Sequence, residues 1–259
     1  MTHCRVCQSD KQSFLFSADL LNRSVKYFEC QTCKYVQTEE PDWLEEAYAA
    51  TINSSDTGIL TRNQGNVRHV LAALAVLGNV SGRVTDFAGG YGILVRMLRD
   101  IGIDAYWSDP FCENLVCRGF EDSGERSDLV TAFEAFEHFV DPVKEVGSML
   151  DIAPNILFST SLIAEPAPPP SEWWYYGLDH GQHVGFFRVQ TLEYLAEKFG
   201  KNLMTDGNSM HFLTEDKYSP FVWKSLRLLA RKMPSLLTRR LQSKTWSDHL
   251  AMAERARDE

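Results

Sequence analysis

Residues 86–92 read Asp-Phe-Ala-Gly-Gly-Tyr-Gly, and Asp109 follows 17 residues later; together they are the strongest indication of how this chain folds. The run 84–88 before the glycines reads as a short buried strand, and 93–98 continues as a helix with one apolar face. A strand, a glycine turn and a helix open a nucleotide-binding α/β unit. Glycine suits this turn because a side chain would keep a ligand away and because such turns often need a positive φ.

Two cofactors fit this layout, and the sequence favours one of them. A dinucleotide site takes a small third residue in G-x-G-x-x-G/A, but Gly90 and Gly92 are followed by Val95 at that position. S-adenosylmethionine (SAM) carries no phosphate and needs a glycine turn beside its methionine part and a carboxylate on its ribose. Asp109 follows the predicted strand 104–108 and supplies that carboxylate, while Asp86 suits the ammonium group of SAM, directly or through water. The predicted cofactor ligands at the turn itself are Ala88, Gly89, Gly90 and Gly92.

A further segment makes the pattern specific. Residues 128–142 read Asp-Leu-Val-Thr-Ala-Phe-Glu-Ala-Phe-Glu-His-Phe-Val-Asp-Pro, which resembles the fourth-strand segment of class I SAM-dependent methyltransferases. With the glycine turn and Trp-Ser-Asp-Pro at 107–110, the resemblance covers about residues 66–215. It is closest to the branch with an N-terminal zinc-binding segment, which includes sugar C-methyltransferases and other small-molecule methyltransferases. That family usually has Gly where this chain has Ala88, so we expect a slightly crowded cofactor site.

The resemblance and the alternation of elements predict an α/β fold. We expect a Rossmann-like, mostly parallel seven-stranded sheet with helices on both faces, a small N-terminal zinc ribbon and a C-terminal helical tail. The predicted strands are 83–88, 104–108, 114–118, 128–133, 155–160, 202–206 and 209–214, and the predicted helices are 66–78, 92–101, 142–151 and 190–199. The predicted domains are a zinc module (1–40), a connector and cofactor lid (41–65), a SAM-binding domain (66–216) and a basic amphipathic tail (217–259).

Acidic side chains recur after the predicted parallel strands. Ligands bind at the carboxyl ends of such strands, so we expect Asp86, Asp109, Glu121 and Glu134 near one edge. Phe120 would stack on adenine and Glu121 would lie near it. The alternatives are that Asp109 is a turn residue before Pro110 and that Glu121 is a solvated loop charge. Residues 58–65 precede a helix and would cover the methionine end of the cofactor.

Three histidines are candidates for a general base, because the unperturbed pKa of histidine lies near neutrality: His138, His183 and, with a poorer fit to the motif, His180. His138 follows the predicted fourth strand, and His183 lies in Gln-His-Val-Gly-Phe-Phe, which resembles a segment that carries a histidine near the acceptor carbon in sugar C-methyltransferases. Tyr176 or Tyr175 would hydrogen-bond an acceptor oxygen. The alternatives are that the Glu137-His138 pair is architectural and that the aromatic run packs against the zinc module. A second metal site at the histidines is disfavoured, because no carboxylate recurs with them at metal-binding spacing.

Four of the six cysteines form two C-x-x-C pairs, Cys4 with Cys7 and Cys30 with Cys33, separated by 22 residues. This spacing is typical of a zinc ribbon, in which two knuckles supply four thiolates in a tetrahedron. A full set of four cysteines leaves no open position on the metal, so the predicted zinc is structural. The alternatives are a redox pair or a knuckle without metal.

The composition indicates which classes of partner and which cellular compartment to expect. The net charge of −9 disfavours non-specific nucleic-acid binding. No secretory signal or transmembrane stretch is recognisable, and the cysteine pattern fits a reducing compartment, so we expect a cytoplasmic protein. Residues 217–244 carry eight Lys and Arg and no Asp or Glu. This segment predicts either a contact with a membrane surface or a partner, or a helix that packs on the acidic body.

These observations predict a SAM-dependent methyltransferase that acts on a small polar acceptor, such as a nucleotide-sugar or a related intermediate, at carbon or oxygen. Two alternatives stay open. The first is an RNA-base methyltransferase, since a zinc ribbon also accompanies this fold there. The second is a non-catalytic, SAM-binding scaffold module.

Overall fold

The structure is a computed structural model that describes residues 3–48 and 57–258. Residues 49–56 of the predicted connector lie outside the described residues. The chain forms two compact units. The first comprises Met1–Asn53, Phe133–Met149 and Phe158–Asp216, and the second comprises Ser54–Ala132, Leu150–Leu157 and Lys217–Glu259.

The second unit contains the strand, turn and helix that the glycine motif predicts. Its elements are α2 (Ile59–Val76), β4 (Arg83–Phe87), α3 (Ile93–Asp100), β5 (Asp104–Ser108) and most of β6 (Leu129–Phe133). Strand β4 pairs in parallel with β5 on one side and with β6 on the other. Since β4 is central, the turn that follows it lies at the carboxyl edge of three parallel strands, where α/β sheets bind ligands.

The larger sheet has six strands in the order β5-β4-β6-β7-β10-β9, with β7 at Ile156–Ser159, β9 at Asn202–Thr205 and β10 at Met210–Thr214. Strands β9 and β10 are antiparallel. The predicted α/β class is therefore confirmed, but the described residues give six strands where seven were expected. The missing one is 114–118. There the Asn114 side chain accepts from the Cys117 amide (2.9 Å), and such a local turn competes with strand pairing.

The helix before β4 begins earlier than predicted. Because α2 starts at Ile59, residues 59–65 are its first turns and not an open segment ahead of a helix at 66–78. The side chain of Asn63 donates to the carbonyl of Ile59 at 2.8 Å, within the same helix. No proline interrupts 59–76, so nothing in the sequence delays the start of this helix.

The first unit contains a small antiparallel sheet with the order β1-β2-β3-β8. Its strands are β1 (Gln12–Leu20), β2 (Arg23–Cys30), β3 (Val36–Thr38) and β8 (Gly185–Phe186), and the unit also holds α1 (Leu44–Ala47), α5 (Val189–Lys198) and the first turns of α4 (Pro142–Ile152). Leu21 and Asn22 both have positive φ and form the β1–β2 turn. Strand β8 comes from the middle of the chain, so this sheet extends beyond the predicted zinc module of residues 1–40.

The tail forms three helices in the second unit, α6 (Pro220–Lys232), α7 (Pro234–Thr238) and α8 (Thr245–Asp258), as its amphipathic pattern predicts. Helix α6 packs against α2 and buries Trp223 and Ala230. Helix α8 is held by Asp248, whose two oxygens accept from Arg99 at 2.7 and 2.8 Å. None of the helices in the described residues combines the length and the apolar character that crossing a bilayer would require.

Candidate functional site: a glycine turn, a histidine cluster and a Cys4 cluster

The glycine turn after β4 has a strained backbone that few residue types adopt. Ala88, Gly90 and Gly92 have φ of +63°, +54° and +83°. Gly89 lies under Trp107, because a Cβ added to it would be 2.6 Å from the indole Cδ1. Trp107 also donates its ring N–H to the carbonyl of Gly90 at 2.8 Å. The turn therefore needs its glycines, and the consequence of alanine at position 88 is backbone strain.

Asp109 is tied to this turn. Its Oδ2 accepts from the amide of Gly90 at 2.9 Å, and its Oδ1 accepts from the amides of Phe111 (2.8 Å) and Cys112 (3.0 Å). A carboxylate offers about four acceptor positions, so three hydrogen bonds leave about one for a ligand hydroxyl. Asp109 thus stabilises the loop, in line with the alternative that it is a turn residue before Pro110. It can also still accept one hydrogen bond from a ligand beside the glycines.

Asp86 lies in β4 and is 4% exposed. Its Oδ1 accepts from the Thr131 hydroxyl at 2.6 Å. Burial, with a smaller contribution from the charge of Asp109, raises the pKa of Asp86 to about 7. A buried carboxyl with a raised pKa favours a cationic ligand, because a positive charge next to it would stabilise the ionised form.

Phe120 and Glu121 are already engaged within their loop. The guanidinium of Arg99 lies 3.8 Å from the centre of the Phe120 ring. Glu121 is exposed, and its Oε1 accepts from the Asn114 side chain (2.9 Å) and the Gly119 amide (3.2 Å). The contacts of both residues with adenine stay predictions. Arg99 covers one face of the Phe120 ring, so adenine would stack on the other face, and only the second carboxylate oxygen of Glu121 is available.

Two residues on the neighbouring strands that support this turn and Asp86 were not predicted from the sequence. Trp107 covers Gly89, and Thr131 supplies the hydroxyl bound to Asp86. Both residues stand in quoted motifs, Trp107 in Trp-Ser-Asp-Pro and Thr131 in the fourth-strand segment. Both residues lie on the strands that flank β4, so their places in the predicted strands could have indicated that they lie close to the glycine turn.

In the first unit, the residues after β6 form a cluster around two histidines. The rings of His138 and His183 are 4.9 Å apart, and His180 and Tyr175 each lie 4.8 Å from His183. The first residue after β6, Glu134, is exposed with φ of +52°, and its Oε1 accepts from the Ser159 hydroxyl at 2.5 Å. The predicted bases His138 and His183 are therefore neighbours, although 45 residues separate them in sequence.

His183 has a defined tautomer. Its Nδ1 lies 2.6 Å from the carbonyl oxygen of Tyr175, which can only accept, so we assign the proton to Nδ1 and the lone pair to Nε2. The ring is 8% exposed, and burial lowers the pKa of His183 to about 4. His138 contacts the Tyr48 hydroxyl through Nδ1 at 2.8 Å, and burial, then His183, lowers its pKa well below the usual value. Both imidazoles are neutral at physiological pH, as a general base must be.

Glu137 lies against these histidines and is fully buried. Among the described residues, no hydrogen bond of ordinary geometry reaches its carboxyl oxygens, although the hydroxyls of Tyr175 and Thr160 are close enough to favour the ionised form. Burial, then the charge of Glu134, raises the pKa of Glu137 to about 8, so it is mostly protonated at neutral pH. The ligand atoms of Glu137, His138 and His183 lie within 4.8 Å of one another, an arrangement that could hold a metal ion. Sequence spacing disfavours a second metal site, but the 3-10 turn 136–138 places Glu137 beside both histidines, so the disfavoured metal site stays untested.

Tyr176 belongs to the hydrophobic core of the first unit. Its ring contacts Phe16, Tyr27 and Phe186, and its hydroxyl donates to the Pro168 carbonyl at 2.8 Å. A role in binding the acceptor stays a prediction for Tyr176, and this bond disfavours it. Tyr175, the alternative, is the tyrosine that adjoins His183.

The segment that carries His183 is held by the N-terminal sheet. Val184 accepts at its carbonyl from the guanidinium of Arg5 (3.2 Å) and from the Thr38 amide (3.1 Å). The indole of Trp43 donates to the Gly181 carbonyl at 2.9 Å. Arg5 lies inside the first C-x-x-C pair, so the cysteine-rich end of the unit is connected directly to the residue after His183.

The four N-terminal cysteines converge. The Sγ atoms of Cys4 and Cys33 are 3.5 Å apart, those of Cys7 and Cys30 are 3.4 Å apart, and all four lie within 4.8 Å of one another. A tetrahedral zinc site with Zn–S bonds of about 2.3 Å has sulfurs about 3.8 Å apart, so the arrangement fits this metal. The two knuckles have the same geometry, since Gln8 and Lys34 both have positive φ and both donate their amides to the first cysteine of their pair, at 2.9 Å.

Comparisons with known proteins agree with this geometry. A family described as "Methyltransferase domain" matches residues 60–205, more than half of the chain. The chain therefore belongs to the methyltransferase-domain family, and its class is that of the SAM-dependent methyltransferases. No curated protein matches the sequence.

Solved structures of methyltransferases align with this chain at low identity. Magnesium protoporphyrin IX methyltransferase from Synechocystis PCC 6803 with bound SAH is 15% identical, with 67% of this chain and 93% of that chain covered and a TM-score of 0.45. An O-methyltransferase family protein from Burkholderia thailandensis is 13% identical (68% and 64% covered, TM-score 0.46). A complex of the Haloferax volcanii Trm112 methyltransferase activator with a methyltransferase gives 15% (66% and 98% covered, TM-score 0.47).

Proposed function

We propose that this chain transfers the methyl group of SAM to a carbon or oxygen atom of a small polar acceptor, such as a nucleotide-sugar or a related biosynthetic intermediate. The observation that carries the proposal is His183, a buried, neutral imidazole whose Nδ1 is held by a carbonyl and whose Nε2 is left as the acceptor of a proton. Methyl transfer from a sulfonium is an in-line displacement, and the protein contributes alignment and a base.

The cofactor ligands follow from the glycine turn. The methionine part of SAM lies against the backbone of Gly89, Gly90 and Gly92, and Ala88 completes the turn. Asp86 binds the ammonium group, directly or through water, and the remaining acceptor position of Asp109 takes a ribose hydroxyl. Phe120 and Glu121 contact the adenine. SAM, when bound, supplies the electrophilic methyl group.

His183 removes the proton that methylation displaces. In a C-methylation this proton lies next to a carbonyl, and the carbanion equivalent then attacks the methyl carbon. In an O-methylation the same nitrogen takes a hydroxyl proton. His138 is the second candidate base, and Tyr175 orients the acceptor. Glu134, after β6, belongs to the cofactor ligands. A cytoplasmic location fits the thiol-rich N-terminus.

Zinc in the Cys4 cluster has a structural role in this proposal. Four thiolates fill a tetrahedral site, so no position is left for water or substrate. The metal fixes the knuckle that contains Arg5, and Arg5 in turn holds the carbonyl of Val184. The zinc module thereby positions His183 and takes no part in the chemical step.

The test is a turnover assay with SAM and a panel of nucleotide-sugar ketones and alcohols, with mass spectrometry of the products. We expect a methylated product with the full chain and a loss of at least about 100-fold in kcat for His183→Asn. His249→Asn, at an exposed position of α8, is the matched control. Equal activity of His183→Asn and the control would contradict the assigned base. SAM binding without turnover of any acceptor would favour the scaffold alternative.

A second readout separates C- from O-methylation. A base that acts on a carbon acid exchanges the acceptor hydrogen with D2O in the presence of S-adenosylhomocysteine, without methyl transfer. We expect this exchange for a ketone acceptor and its loss in His183→Asn. Methylated product from a ketone without any exchange would contradict carbanion formation by this residue.

A further inference from the structure

Helices α6 and α7 leave a surface exposed that combines large apolar side chains with cations. We call it the basic face. It comprises Phe221, Lys224, Leu228, Arg231, Lys232, Met233, Leu236, Arg239 and Arg240, all of which are exposed.

The apolar residues of the basic face lie on the outer side of α6. Trp223 and Ala230 are seven residues apart and form the buried side of the helix. Phe221 and Leu228 are also seven residues apart, and at 100° per residue they fall about opposite the buried pair. Phe221 is 78% and Leu228 53% exposed, so they contribute nothing to the packing against α2. Helix α6 is thus apolar on both sides, and only one side is covered within the second unit.

The charges of the basic face are not used for packing either. If the tail were basic in order to dock on an acidic body, its cations would pair with carboxylates. Lys244 does so, at 3.4 Å from Asp104. Within the parts of the chain that the structure describes, no carboxylate is within ion-pair distance of Lys224, Arg231, Lys232, Arg239 or Arg240. The main ionic attachment of the tail has the opposite polarity, with Asp248 on the tail and Arg99 on the body.

The charge balance points to an anionic partner. Eight Lys and Arg without any Asp or Glu lie in 217–244, whereas the rest of the chain has 18 Lys and Arg against 35 Asp and Glu, a net charge of −17. Such segregation places a local positive field on a protein that anionic surfaces otherwise repel. RNA would offer phosphates to the cations and a base to stack on Phe221, but it would have no use for the exposed aliphatic side chains of Leu228, Met233 and Leu236. An anionic bilayer uses both features, because its headgroups attract cations and its acyl boundary accepts apolar side chains.

We propose that the basic face docks the protein on the surface of an anionic phospholipid bilayer, with Phe221 and Leu228 inserted at the headgroup boundary and with Lys224, Arg231 and Lys232 at the phosphates. Helix α6 lies in the plane of the membrane, with its Trp223 side still packed on the body. The contact is peripheral and reversible. It is independent of the proposed methyl transfer.

The test is co-sedimentation of the full chain with vesicles of phosphatidylcholine alone and of phosphatidylcholine mixed with phosphatidylglycerol. We expect binding to the mixed vesicles only, weakened by added salt. Lys224→Gln, Arg231→Gln and Lys232→Gln together should weaken it roughly 100-fold, at about five-fold per cation. Phe221→Ser with Leu228→Ser should weaken it at least about ten-fold.

Matched controls lie on the first unit. The triple variant Lys11→Gln, Lys144→Gln and Lys198→Gln removes as many exposed cations, and Phe14→Ser removes an exposed aromatic ring (57% exposed). We expect both controls to bind like the wild type, and circular dichroism should show all variants folded, since the substituted side chains are exposed. Absence of binding to mixed vesicles overturns the proposal. So does binding that survives Phe221→Ser with Leu228→Ser, since that result identifies a purely ionic site for polyanions.

Discussion

Ala88 and Gly92 occupy the same turn and both have left-handed backbone conformations, so exchanging alanine and glycine there tests the geometry of the cofactor site. An L-residue at positive φ costs about 1–2 kcal/mol, and the greater freedom of glycine in the unfolded chain returns about 0.4–1 kcal/mol. We therefore expect Ala88→Gly to raise the free energy of unfolding by roughly 0.5–1 kcal/mol. Gly92→Ala acquires the same strain, and its Cβ would be 2.6 Å from Asn114 Oδ1, so we expect a loss of about 2–3 kcal/mol.

Gly65 provides the matched control for this pair. It lies in the middle of α2, and a Cβ added there would meet no atom within 4 Å. Gly65→Ala should raise the free energy of unfolding by roughly 0.5–1 kcal/mol, because glycine inside a helix is less favourable than alanine. Urea denaturation followed by circular dichroism measures all three variants. The reasoning is refuted if Ala88→Gly destabilises the protein by more than about 1 kcal/mol, or if Gly92→Ala behaves like Gly65→Ala.

Three further predictions follow from single contacts. Asp248→Asn removes the carboxylate that binds the buried Arg99 through two hydrogen bonds and leaves only its longer carboxylate contact, with Asp104 (3.4 Å), so it should cost about 3 kcal/mol in urea denaturation at neutral pH. Burial alone would raise the pKa of Asp248, but the hydrogen bonds from Arg99 and Arg96 hold this pKa below the usual value. The wild type should therefore keep this stability above about pH 4 and lose it as the pH falls through the lowered pKa. A stability difference between the wild type and Asp248→Asn that grows on acidification would contradict this. The pKa of His183, about 4, predicts that His183 stays deprotonated, and the base functional, from about pH 8 down to about pH 5, measured as kcat against pH; a fall in kcat with an apparent pKa near 6.5 that disappears in His183→Asn would exclude this environment. Cys7→Ser with Cys33→Ser should abolish zinc binding, measured as metal content, and should speed amide exchange at Val184. His183→Asn should leave one zinc per chain. Loss of zinc in His183→Asn would instead assign a metal to the group of Glu137, His138 and His183.

The fold could be predicted from local patterns because each core element carries its own signal. The glycine run fixed the β4–α3 turn, and the apolar runs fixed the strands to within one or two residues, as at 104–108. The predicted strand 114–118 failed because a side chain bonds back to its own loop there, through Asn114. The start of α2 was missed because polar residues such as Arg62 and Asn63 read as a loop, although they are acceptable helix formers.

The candidate site could be predicted only in part, because long-range contacts leave no local pattern. The proximity of His138 and His183 depends on β8 joining the N-terminal sheet, and Gly185-Phe186 carries no strand signal long enough to reveal this. The position of Glu137 beside both histidines depends on its complete burial, which a short Glu-His sequence does not show. The Cys4 cluster is the opposite case, since its spacing alone predicts the convergence that the structure shows.

The most direct test of the central claim is calorimetric titration of the zinc-loaded chain with SAM near pH 7, in two buffers of different ionisation enthalpy. Because burial holds the pKa of Asp86 at about 7, a bound ammonium group should release part of a proton, so the observed enthalpy should depend on the buffer. We predict saturable binding with this buffer dependence, a loss of the dependence in Asp86→Asn, and at least about ten-fold weaker binding in Asp109→Ala. Absence of SAM binding by the folded chain, or unchanged binding in both variants, would contradict the account.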